Sequence, residues 1–211
     1  MRLTLHGHAC VSVESGGDVI LLDPGVFTPD ASRLLARADA VLVTHEHADH
    51  VDAGALDAAL AARPGLRLYG PAAVVGRWAG LGERVTAVAP GDAFAVGSLE
   101  VAVRGGLHAA IHPDVPRAVN VGYLIGGRVY HPGDALEAPA VPVEVLLTPV
   151  SGPWFHLDAA VEMVRALRPA RALAIHEAHA SEAGMALAAR LMAQLAGVPL
   201  EVLAPGEAVE L

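Results

Sequence analysis

The chain opens with short β-favouring runs: Arg2–Leu5, Cys10–Glu14 and Val19–Leu22 are apolar-rich, too brief for helices, and predict three strands. Ser15-Gly16-Gly17-Asp18 supplies a hairpin turn between the last two, and Asp23-Pro24-Gly25 stops the third. A short helix is predicted over Ala31–Ala36. The apolar strand Ala40–Val43 then runs straight into a polar stretch, Thr44-His45-Glu46-His47-Ala48-Asp49-His50. Asp52 is placed to cap a helix over Ala53–Ala62, which Pro64-Gly65 ends.

In the middle of the chain the pattern predicts strands at Leu66–Tyr69, Arg84–Val88, Ala93–Val96 and Glu100–Arg104, with a helix near Ala72–Ala79 after Pro71. Gly105-Gly106-Leu107-His108 and His112-Pro113-Asp114-Val115-Pro116 read as turn-rich. Strands Val119–Ile125 and Arg128–Tyr130 follow, joined by Gly126-Gly127, and His131-Pro132-Gly133-Asp134 closes that hairpin. The last third alternates strictly: strand Val143–Leu147, loop Thr148–His156, helix Asp158–Leu167, strand Ala172–Ile175, a loop from His176, helix Ser181–Ala196 and strand Leu200–Leu203. Hairpins early and strand–helix alternation late predict an α/β protein, two sheets packed face to face with helices outside. The 211 residues show no linker, low-complexity tract or strong repeat, so one domain over 1–211 is expected.

Composition narrows the partners. The hydrophobic share is 54%, but Ala and Val supply much of it and Gly, Pro, Asp or Arg interrupts every apolar stretch, so no membrane span is expected. His6 and His8 fall where a signal peptide needs an unbroken apolar run, and the single cysteine, Cys10, can form no intrachain disulfide. Together these point to a cytoplasmic chain with Cys10 in its core. All 14 basic residues are Arg and the formal net charge is −9, a balance that repels polyanions. A small molecule, not nucleic acid, is the expected partner.

The chemistry concentrates in His45-x-His47-x-Asp49-His50, where four candidate metal ligands fall within six residues directly after an apolar strand. In an extended loop residues two apart point to one side, so His45 and His47 can share one ion while Asp49 and His50 turn toward a second. Imidazole and carboxylate suit zinc and related first-row ions. A solvated loop of idle histidines is the bland alternative, and few structural roles need such density.

Thr-His-x-His-x-Asp-His after a strand resembles the signature of the metallo-β-lactamase superfamily, and the resemblance extends over nearly the whole chain. Gly7-His8-Ala9-Cys10 and Leu21-Leu22-Asp23-Pro24 are similar to segments of its subgroup around the ascorbate-6-phosphate lactonase-like proteins. Gly105-Gly106-Leu107-His108 resembles the third ligand motif, His131-Pro132-Gly133-Asp134 the Gly-Asp motif, and Ala174-Ile175-His176 the last ligand at a strand end. The resemblance implies a four-layer αββα sandwich. It also implies two divalent ions, Zn²⁺ by default with Mn²⁺ or Fe²⁺ on the same donors: one on His45, His47 and His108, the other on Asp49, His50 and His176, with Asp134 bridging. Such a pair holds a metal-activated hydroxide at neutral pH. The implied activity is hydrolysis of a small ester-like bond in a lactone, phosphodiester or carboxylic ester, with Asp49 also orienting the hydroxide. The alternative is a non-catalytic metal-bound binding or regulatory protein.

Other residues carry two readings each. Asp23 is an outer hydrogen-bond partner of a ligand, or a plain turn residue. His8 and His112 are proton donors or substrate contacts, or structural hydrogen-bonders. His131 reads as structural and His179 as the start of a helix. Trp154, Phe155 and His156 wall a substrate pocket or pack beneath their loop. Arg104 and Arg117 are surface charge first, and contacts for an anionic group second.

Overall fold

The computed structural model describes all 211 residues. The first half of the chain builds six strands of one seven-stranded sheet and the second half all seven of another, and both follow one plan, an antiparallel meander that continues into parallel strands. In the first, β1 (Arg2–Gly7), β2 (Cys10–Ser15) and β3 (Asp18–Leu22) are antiparallel, and β4 (Ala40–Leu42), β5 (Arg67–Gly70) and β6 (Val85–Ala87) join in parallel. In the second, β7 (Ala93–Val96), β8 (Leu99–Leu107), β9 (Val119–Ile125) and β10 (Val129–His131) are antiparallel, followed by parallel β11 (Val145–Pro149), β12 (Arg171–Ile175) and β13 (Leu200–Glu201). The C-terminal β14 (Ala208–Glu210) returns to pair with β1 in the first sheet. No helix is long and apolar enough to cross a membrane.

Strand alternation sorts the apolar side chains into layers. Ile20, Leu22 and Leu42 point between the sheets to meet Val101, Val121, Tyr123, Leu147 and Ile175, whereas Leu21, Val41 and Leu68 point outward. The outward set is covered by α1 (Ala31–Leu35), α2 (Ala53–Ala62) and α3 (Ala72–Val75), through Leu35, Leu56, Leu60 and Val74. On the far side Leu146 and Tyr130 lie under α4 (Leu157–Leu167) and α5 (Glu182–Ala196), through Val161, Met163, Val164 and Met192. The result is the expected αββα sandwich. Cys10 is buried in the layer beneath α1 and α2.

Three expectations of the sequence shift. The helix near Ala72–Ala79 is α-helical only to Val75 and continues as a 3₁₀ segment over Gly76–Arg84, in which glycine-rich sequence weakens the α form. Gly105-Gly106-Leu107 is not a turn: β8 runs on to Leu107, because Gly105, Gly106 and Leu107 pair with Val121, Asn120 and Val119. The strand β14 had no clear signal, since its few residues form a strand only by pairing with β1.

His6, on β1, bonds Ser12 at 2.9 Å. Burial first, then the charges of Arg33 and Arg37, lower its pKa from 6.5 to about 4. Between those values the unfolded chain takes up a proton that the folded chain refuses, so this contribution is intact above pH 6.5 and is lost as pH falls toward 4. Urea unfolding across that window is expected to show stability falling with acidification, and His6→Gln is expected to flatten the fall. An equal slope in the variant would remove His6 from the account.

Candidate metal centre

Five separate stretches deliver side chains to one place, and each does so just past the C-terminal end of a strand. His8 follows β1, the Thr44–His50 loop follows β4, His108 follows β8, Asp134 follows β10 and His176 follows β12. Strand ends are where a sheet stops supplying backbone partners, so the chain is free to turn side chains into the crevice. His8, Asp23 and His176 all adopt left-handed backbone conformations, φ 53°, 45° and 64°. Such residues are uncommon outside glycine and are held only where surrounding contacts over-determine them.

The donor atoms fall into two groups, each within 4.8 Å of one another: His45, His47, His108 and Asp134, and His8, Asp49, His50 and His176. Asp134 touches both. Its Oδ2 lies 3.2 Å from His108 Nε2 and 3.3 Å from His176 Nε2, and its Oδ1 lies 3.0 Å from His50 Nε2. All these residues are buried except His47 and Asp49, which face the open side of the cleft.

A cation fits this arrangement. His50 Nε2, His108 Nε2, both ring nitrogens of His176 and Asp134 Oδ1 are buried without forming a hydrogen bond, a costly state for polar atoms unless something else satisfies them. Burial opposes charge on His50, yet Asp134 and Asp23 override it and hold the imidazole well above its ordinary pKa. The site therefore calls for positive charge beside Asp134. His45, by contrast, is pushed well below its ordinary pKa by burial and by the neighbouring His50, which keeps its imidazole neutral.

Outer partners fix the ligands. Asp23 accepts from the Thr44 backbone N–H at 2.8 Å and the Thr44 hydroxyl at 2.7 Å, and meets His50 Nδ1 at 2.7 Å, so the His50 ring is aimed by its far nitrogen. Pro24 and Gly25 pass directly beneath the ligand loop: Val26 N–H donates to the Ala48 carbonyl at 2.9 Å and Asp52 N–H to the Pro24 carbonyl at 3.0 Å. A Cβ on Gly25 would overlap the Asp49 carbonyl. Gly25→Ala is accordingly expected to cost about 1–3 kcal/mol or more by overpacking and to lower bound metal, read by denaturant unfolding and elemental analysis. Wild-type metal content in that variant would mean the loop can move aside.

Several partners escaped the sequence reading. The Glu177 carboxylate accepts from His8 N–H at 2.7 Å, and His176 N–H donates to the His8 carbonyl at 2.9 Å, which stitches the first and last loops together. Asn120 Oδ1 accepts from Asp134 N–H at 3.0 Å and its Nδ2 donates to the Pro132 carbonyl at 2.8 Å. The Ser151 hydroxyl donates to the His176 carbonyl. Only Glu177 carried a signal, its place next to the last candidate ligand.

The remaining candidates separate. His8 joins the cluster, with Nε2 3.1 Å from Asp49 Oδ2. His131 is buried, its Nδ1 accepting from Gly133 N–H at 3.0 Å and its Nε2 2.9 Å from the Ala9 carbonyl, a purely structural pair of bonds. Trp154 is buried edge-on against His108 and His176, with ring centroids 5.4 and 5.2 Å away. Phe155 packs instead into the layer under α4, and His156 is exposed at that helix's N-terminus. His112 is exposed and its ring meets Asp114, not the cluster. His179 is exposed in a turn before α5, 5.6 Å from the His8 ring and 5.5 Å from Phe27. Arg117 donates to the His108 carbonyl and Arg104 to the Val103 carbonyl.

Known proteins resemble this chain in sequence and in fold. The family model described as a beta-lactamase superfamily domain matches residues 2–176. A protein of Mycobacterium tuberculosis is 40% identical over 183 residues, 84% of each chain. A UPF0173 metal-dependent hydrolase of Aeropyrum pernix is 28% identical over 200 residues, 83% of this chain and 81% of the relative. In fold, the metallo-beta-lactamase fold protein YhfI of Bacillus subtilis superposes with a TM-score of 0.79 at 16% identity, covering 99% of this chain and 98% of that one.

Proposed function

We infer the function from one premise, that this chain belongs to the metallo-β-lactamase superfamily. It is an enzyme of that superfamily, a metal-dependent hydrolase. Its reaction, in this reading, is hydrolysis of a small ester-like bond, in a lactone, phosphodiester or carboxylic ester, at a two-ion site. The observation that carries the reading is Asp134, one buried carboxylate whose two oxygens reach ligands of both groups.

His45, His47 and His108 would hold one ion and Asp49, His50 and His176 the other, with Asp134 between them. Two divalent ions, zinc by donor type with manganese or iron suited to the same set, supply Lewis acidity and a water acidified to a pKa near about 7. The protein's own part is to place and move protons. Asp49, partly open to solvent, orients the attacking water through its carboxylate, and the water's proton passes to solvent. His8 Nδ1 faces the Ala178 N–H at 3.4 Å, so Nε2 carries the proton and donates it to Asp49 at 3.1 Å. Burial holds His8 below its ordinary pKa, so the ring stays neutral and positions Asp49, and a leaving group takes its proton from solvent at the open side of the cleft. Trp154 closes the wall beside His108 and His176 and keeps water off their rings.

The test is a metal-loaded preparation on chromogenic bis-phosphodiester, lactone and ester substrates, beside chelator-stripped and Asp134→Ala protein. Turnover that depends on both metal and Asp134 is expected. Two bound ions with no turnover on any of the three classes would overturn the hydrolase reading, and full turnover in the variant would overturn the site assignment.

A further inference from the structure

The open side of the cluster lies at His47 and Asp49, and large apolar side chains gather around it. Ten large apolar side chains are exposed in the whole molecule, and six of them, Val26, Phe27, Leu107, Ile111, Val115 and Val119, occupy just two segments beside the metal cluster. Val26 is bonded to Ala48, between His47 and Asp49, and the Phe27 ring stands edge-on to His8 at 5.1 Å. Across the cleft Leu107 and Val119 are a directly paired cross-strand couple flanking His108, whose ring lies 4.8 Å from that of His47. Ile111 and Val115 sit on the loop between them. Scattered apolar residues need no explanation, but a concentration around a functional cleft marks a surface that a ligand covers.

Charge points the same way. The two arginines of this region are committed elsewhere, Arg117 to the His108 carbonyl and toward Glu137, Arg104 to the Val103 carbonyl. The Arg117 guanidinium spends its Nε on the backbone beside the cluster, whereas a hydrocarbon would find apolar side chains on both sides. We propose that the substrate is a carboxylic ester or lactone bearing an apolar chain or ring, which lies across Val26, Phe27, Leu107, Ile111, Val115 and Val119 while its acyl group faces the metal ligands. The proposal rests on the hydrolase reading and narrows it to acyl chemistry on an apolar substrate.

Straight-chain carboxylates provide a probe that needs no turnover. Calorimetry of acetate, butyrate, hexanoate and octanoate with the metal-loaded protein, below their micelle concentrations, is expected to show affinity rising about fourfold per added methylene. Phe27→Ser and Ile111→Ser are expected to flatten that rise while acetate affinity and metal content stay at the wild-type level. Equal affinity from acetate to octanoate would overturn the proposal. So would light scattering that shows a wild-type dimer and monomeric Phe27→Ser and Ile111→Ser, because the rim would then be an interface between copies. Chain-length-dependent binding with no turnover of phosphodiester, lactone or ester substrates would remove the hydrolase reading and leave the apolar ligand site standing.

Discussion

Stripping the metal from this protein is expected to lower its thermal midpoint by about 5–11 °C for each ion removed. An ion present at about a hundredfold its dissociation constant stabilises the fold by about 2.7 kcal/mol per site. For a domain of this size each kcal/mol moves the midpoint by about 2–4 °C. The physical source is local: without an ion, His50, His108, His176 and Asp134 keep buried polar atoms that bond to nothing. Thermal scans with chelator, and again after adding Zn²⁺, Mn²⁺ or Fe²⁺, measure the effect and rank the metals. A midpoint indifferent to every ion would mean that the cluster satisfies itself and that the assigned ligands are not ligands.

Asp134→Ala is expected to do more damage than any other single change at the site. The substitution removes the carboxylate that approaches His50, His108 and His176 and leaves three imidazoles crowded together without a counter-charge. Losing an outer hydrogen-bond partner of a metal ligand typically costs 10- to 100-fold, so losing the shared ligand is expected to cost more than about 100-fold in turnover. Elemental analysis should find fewer than two ions per chain. Asp23→Asn makes the comparison, since Asp23 acts only through His50 and Thr44. Its loss is expected to stay within the 10- to 100-fold range. A variant at Asp134 that keeps two ions and half its activity would show that the carboxylate does not sit between them.

Local patterns were legible wherever the cause is local. The Asp52 cap is made as read, its side chain accepting from the Ala55 backbone N–H three residues on, while Ser181, read as the first helical residue, caps α5 by accepting from Gly184 N–H. His45, His47, Asp49 and His50 lie in one turn, so their convergence needs little beyond a strand end. Trp154, Phe155 and His156 show the opposite case. Three neighbours that looked alike in sequence part company, one against the metal cluster, one into the layer under α4 and one into solvent.

The chain's own order of residues therefore specifies the strands, the caps, the ligand types and the spacing of the Thr44–His50 loop, since each depends on neighbours a few bonds away. Packing of the two sheets settles the rest. It brings His8 to Asp49, Glu177 to the His8 backbone and Asp134 between both donor groups, across sequence separations that no short-range pattern encodes. It also runs Gly25 beneath the ligand loop, where a side chain would have no room. The physical reason is that hydrophobic burial dictates which faces meet but carries no direction, so the partners of a polar group at a strand end are chosen only when the sheets close.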